Sequence, residues 1–195
     1  MDSYFKYHRL LGDVAAKHGF TARVGAAIFA ALSPNNTYFG NLRDAHKMMA
    51  AARAGQKLRE FSVSTYDHNK RKAWEIIRGA EPLDLIVAFK TRSFFLNVSN
   101  PADPEPVTVD GHMVNIWRGK RENLVGLRSN LKLQHQVADG VRALARDYGC
   151  LPSQMQSILW ITHRHIHGIM TTGQREFWDA DYLAARLGFH PSTAV

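Results

Sequence analysis

TARVGAAIFAALSPNN, residues 21–36, decides the fold class. Thr21 is an acceptor residue of the kind that opens helices, and Val24 to Leu32 is an apolar run whose composition fits a core helix. Its end is abrupt. Ser33, Pro34, Asn35 and Asn36 break the helical pattern, and a new one begins near Tyr38. A short apolar helix of this kind needs other helices around it, and the chain supplies them on both sides.

Upstream, Ser3 can cap a helix running to Lys17, with Phe5, Leu10, Leu11 and Val14 on one side and Gly19 as its stop. Downstream, Tyr38 to Arg53 presents Leu42, Ala45, Met49 and Ala52 as an inner face. Asp67 is placed to cap a helix that ends before Gly79. Residues 80–88 read as a loop or short turn, and Phe89 to Val98 as a helix with aromatic faces. Pro101, Pro104 and Pro106 mark a connector, after which a helix starts near Val109 or Asp110. Leu131 to Tyr148 and Ser153 to Ile166 are longer helices, and Asp179 to Leu187 is a short last one ending at Gly188. Only FSVSTY, residues 61–66, hints at period two, as a weak strand or loop. The pattern predicts an all-α, single-domain protein over residues 1–195.

The chain's 195 residues are 45% hydrophobic, enough for a packed core. The formal charge of +8 makes a polyanion the leading partner class, with nucleic acid first. The plain alternative is a basic enzyme whose cations serve solubility. One cysteine, Cys150, excludes an internal disulfide and a four-cysteine metal or iron–sulfur site. The opening MDSYFKYHRL carries acid and histidine where a signal peptide needs an apolar run, and no stretch is long and apolar enough for a membrane span. A cytoplasmic protein without membrane contact, cofactor or obligate protein partner is expected.

Three short words, in order, add a resemblance. AALSPNN at residues 30–36, IVAFKTRSFFLNVS at 86–99 and TVDGH at 108–112 are similar to successive motifs of the helix-hairpin-helix DNA glycosylases of the endonuclease-III type. The similarity spans about residues 24–121. It implies a helical glycosylase fold acting on DNA. Asn35 lies where the family's Gln enters the base stack, and Lys90 where the lysine of bifunctional members lies. Asp110 and His112 are in register with the motif whose aspartate is required for chemistry. Lys90 and Asp110 are 20 positions apart (110 − 90), slightly more than in the family, and the proline-rich connector accounts for the excess. Two departures stand out. Val87, Ala88 and Phe89 replace the glycines with which the family's hairpin approaches a phosphate. The iron–sulfur loop of some members is also missing.

The implied chemistry sets what these residues must do. Breaking an N-glycosidic bond develops positive charge on the sugar, which a carboxylate beside it stabilises. From position alone Asp110 reads as a helix N-cap; the register of the resemblance makes it that carboxylate. Lys90 is the amine that would attack C1′ and form a Schiff base, for which burial or a neighbouring cation such as Arg92 must favour its neutral form. The other reading is a solvated lysine. Asn35 and Asn36 are either probes of the duplex or residues of a C-cap or Asx turn. His112 either supports Asp110 or touches phosphate, unless it is simply a buried, bonded histidine. Arg118, Lys120 and Arg121, in RGKR, are candidate phosphate contacts. HRHIH, residues 163–167, puts two histidines one turn apart but offers no third ligand in pattern, so a packed helix rather than a metal site is expected.

The function expected from these residues is a DNA glycosylase that flips a modified or damaged base and cleaves its glycosidic bond, with AP lyase activity if Lys90 acts. The divergent hairpin and small size suggest a phage-related or antiviral setting. Two alternatives use the same residues: an enzyme of phage DNA base hypermodification on this scaffold, and a non-catalytic DNA-binding protein.

Overall fold

A computed structural model describes residues 3–122 and 130–168. Nine α-helices are found there: α1 Ser3–Lys17, α2 Ala22–Leu32, α3 Tyr38–Arg53, α4 Asp67–Ile77, α5 Pro82–Leu85, α6 Phe89–Ser99, α7 Gly111–Arg118, α8 Leu131–Asp147 and α9 Pro152–Ile166. One turn of 3-10 helix, Leu58–Glu60, joins α3 to α4. No strand occurs among the described residues, and FSVSTY is a loop. The all-α class therefore holds. The helix expected over Asp179–Leu187 lies outside the described residues.

Local sequence explains most boundaries. Thr21 and Thr37 accept from the backbone N–H groups of Val24 and Gly40 and so close the N-termini of α2 and α3. After α1 the chain turns at Gly19, whose φ of 78° a side chain would resist. Two expected caps differ. The Ser3 hydroxyl pairs with Ser157 on α9 instead of serving as a cap, and Asp67 is the first residue of α4, with Tyr66 at the cap position.

Two apolar cores form. The larger joins α1 to α6 around α2, from which Ala26 to Leu32 are all buried. α1 and α2 approach closely because Gly25 faces the Leu11 carbonyl and Ala15; a Cβ there would stand 2.8 Å from Leu11 O. The smaller core gathers Val107, Val109, Met113 and Val114 against Val137, Ala138 and Val141 of α8 and Met155 of α9.

A buried polar seam ties one core to the other. Tyr4 of α1 donates its hydroxyl hydrogen to Gln156 of α9 at 2.8 Å and lies 3.2 Å from Thr108, to which Asn97 of α6 also donates. Burial keeps the Tyr4 hydroxyl protonated throughout the ordinary pH range, its ionisation pushed far up. The proline-rich connector is pinned as well: Ser153 donates to the Pro101 carbonyl and Arg142 to that of Glu105. These bonds fix α7 relative to α6, and that relation builds the cleft described next.

Candidate active site

Between the two cores lies a cleft of about 1080 Å³. Its walls are the turn after α2, the first turns of α4, α6 and α7, and the segment after α7. Helix starts carry unsatisfied N–H groups and the positive end of the helix dipole, so three converging starts make a field that favours an anion. Neither α4 nor α6 has a side chain capping it. Lys72, Lys90 and Arg121 add full charges to the lining.

Asp110 closes the third start. Its Oδ1 accepts from the Met113 backbone N–H at 3.0 Å, as an N-cap does. Its Oδ2 accepts from Trp160 Nε1 at 2.9 Å. The carboxylate is thus both cap and cleft wall; the two uses are the same geometry seen from two sides. Trp160 belongs to α9, and its ring is backed by the buried Arg164 guanidinium at 4.4 Å. His112 meets the Trp160 ring edge to face at 5.9 Å and lies 5.8 Å from the His163 ring. Burial lowers the proton affinity of the His112 imidazole, the cations Arg164, Lys90 and Arg121 lower it further, and Asp110 opposes them. His112 is therefore a neutral imidazole at pH 7.

Asn35 occupies the lip of the cleft in a left-handed conformation, φ 54°, which no other described non-glycine residue adopts. The turn is held from behind: Thr65 donates to the Pro34 carbonyl at 2.6 Å, and the Asn36 N–H reaches the Ser33 carbonyl. Buried Asp44 receives the Ser64 N–H at 2.6 Å and the Asn36 side-chain amide at 3.2 Å. So SPNN is a rigid turn presenting one asparagine outward.

Of the residues singled out from the sequence, Asn35, Lys90, Asp110, His112 and Arg121 line this one cleft. The others do not. Asn36 turns inward onto Asp44 and the Leu32 carbonyl, which makes it a structural residue. Arg92 is exposed and outside the lining. Arg118 and Lys120 both pair with Glu122, at 3.0 and 2.7 Å, and leave only Arg121 of the basic run on the cleft. Lys90 is exposed, so of the two conditions expected for a neutral amine, burial or a neighbouring cation, burial is not met. The sequence reading assigned no site role to Trp160, Arg164 or the α4 start, where Tyr66 stacks on His68 with 11° between the rings. Trp160 meets Asp110 across 50 positions, and no local pattern signals such a contact.

Among the described residues no group of three His, Cys, Asp or Glu side chains is placed to hold a metal ion, and no helix is long and apolar enough to cross a membrane. A protein-family model described as a family of unknown function, DUF7178, matches residues 1–167. No curated protein and no solved structure matches the chain.

Proposed function

The chain belongs to the DUF7178 family, whose description names no activity, and we propose from the cleft that it is a DNA glycosylase. On this reading it flips a modified or damaged nucleotide into the cleft and hydrolyses its N-glycosidic bond. The observation that carries it is convergence: the residues that resemble three separate glycosylase motifs, Asn35, Lys90 and Asp110 with His112, line one cationic cleft. The fold resemblance to the helix-hairpin-helix glycosylases is part of the same proposal.

Each part has a physical role. Asp110, held by two donors, faces the sugar as it becomes cationic and stabilises it electrostatically. The starts of α4 and α6, with Lys72, Lys90 and Arg121, bind the phosphates on either side of the extruded nucleotide. Asn35, held out at the lip, enters the gap that flipping leaves in the stack. Because Lys90 is exposed, it serves as a phosphate contact and water is the nucleophile. Its presence on the same cleft as Asp110 supports a second course, attack of its amine on C1′.

The test is release of free base from a panel of duplexes with oxidised, alkylated, mismatched and phage-type modified bases. Release that leaves an uncut abasic site supports hydrolysis. A borohydride-trapped protein–DNA adduct that Lys90→Gln abolishes would transfer the nucleophile's role to Lys90. Tight binding with no release from any duplex would leave a DNA-binding protein.

A further inference from the structure

The histidine run at the end of α9 is unused by the reading above, yet its first member points back to the cleft. The rings of His112 and His163 are centred 5.8 Å apart, and those of His163 and His167 4.4 Å apart. Three imidazoles therefore stand in file, from the cleft lining to an exposed position just past α9. His163 Nε2 is buried and makes no hydrogen bond among the described residues. A buried polar atom without a protein partner is one that a water, an ion or a proton-transfer role would satisfy.

A hydrolytic glycosylase needs a group to take a proton from water. Each Asp110 oxygen accepts one hydrogen bond, from Met113 N–H and from Trp160, and the two together fix the carboxylate as an oriented charge. His112 sits two positions on, in the same cleft. Resting on the glycosylase reading, we propose that His112 is the general base of base release, with His163 and His167 relaying its proton to solvent.

The step balances as follows. The water oxygen bonds to C1′ while the C1′–N bond breaks and its electron pair leaves with the base. The water proton passes to the His112 imidazole and, through His163 and His167, to solvent; the departing base takes up a proton from solvent. The His163 and His167 rings are already in contact, so only the step from His112 to His163 calls for a bridging water. Surrounding charge favours the required state. The groups facing His112 are Asp110 beside it, Lys90 of α6, Arg121 after α7, and Arg164 with His163 of α9; burial and the cations outweigh Asp110, so the ring is free to accept a proton. His163 is lowered too, by burial first and then by His167, His112 and Arg121.

Single-turnover base release by the full chain, followed from pH 5 to 8, tests this together with histidine NMR titrations. The wild type should lose rate as pH falls, with a limb below 6.5, the ordinary histidine value. His112→Gly should lose about a hundredfold, and added imidazole should restore part of it, which a merely structural histidine would not allow. His163→Asn should lower kcat with KM unchanged. Wild-type release with no acid limb and no imidazole rescue of the variant would overturn the role of His112. The titrations need no substrate: Asp110→Asn should lower the His112 midpoint, and His112→Asn should raise that of His163. Histidines that ignore each other would overturn the relay. No release by the wild type, with the titrations coupled as expected, would overturn the glycosylase reading and the catalytic role with it, while leaving the file of histidines standing.

Discussion

Asp110 does two things with one carboxylate: Oδ1 starts α7, and Oδ2 is gripped by Trp160. A hydrogen bond to a charged acceptor contributes about 1.5–3 kcal/mol, and here it also sets which way the charge points. Trp160→Phe retains most of the ring, hence the stack on Arg164, but removes the donor. The single-turnover rate of base release on the best duplex should then fall about tenfold, with little change in DNA affinity. An unchanged rate would mean that Asp110 needs no help from α9. Residues at this scale were legible from the sequence where a short word sits at a helix end, as with SPNN and VDGH. Such words are read locally, because a helix start is made by its own neighbours. Trp160 was not legible, since α9 reaches Asp110 only through the packing of the second core.

At the scale of elements the helices follow from pattern and punctuation, and their spacing from small residues. Two glycines in the first helix pair make opposite predictions. Gly12 lies inside α1, and a Cβ there would meet only the Ala22 Cβ at 3.5 Å, an ordinary contact. Gly12→Ala should raise stability by about 0.5–1 kcal/mol, because glycine costs that much inside a helix. Gly25 lies inside α2, where a Cβ would press on the Leu11 carbonyl at 2.8 Å and the Ala15 Cβ at 3.0 Å. Gly25→Ala should cost about 1–3 kcal/mol as the pair is forced apart. Thermal unfolding of both variants checks the contrast; a destabilised Gly12→Ala would show that α1 packs more tightly than described. Composition does not distinguish these glycines, since only the partner helix makes one of them necessary. The same limit applies to FSVSTY, whose alternation left a weak strand and a loop both open. Its Ser64 and Thr65 are committed to Asp44 and Pro34, so the segment braces the Asn35 turn instead of pairing in a sheet.

For the whole molecule, the charge of +8 matters where it is left unneutralised. Arg118 and Lys120 share Glu122, whereas Arg121, Lys72 and Lys90 line the cleft. Log affinity for duplex DNA should fall linearly with log salt, by about 0.9 per phosphate contact. Neutralising Arg121 or Lys90 should flatten that slope more than neutralising Arg118, and equal effects would contradict the cleft as the binding face. Stability should also depend on pH. His18, His46, His112 and His163 all bind protons more weakly when folded, chiefly through burial. As pH falls the unfolded chain protonates first, so stability is whole above about 6.5 and declines below it. His18→Asn with His46→Asn, which removes the tilted pair centred 5.0 Å apart, should flatten the decline in melting temperature between pH 7 and 5. The fold class was legible because the helical period recurs from one segment to the next, whereas the two-core plan was not, since it rests on buried long-range bonds such as Tyr4 to Gln156. The measurement closest to the central claim compares the wild type with Asp110→Asn on the modified-base panel, scoring released base and DNA binding together. Asparagine keeps the size and the cap but not the charge, so base release should fall about a hundredfold or more while binding is retained. Release that survives the substitution, or that no duplex elicits from the wild type, would contradict the account.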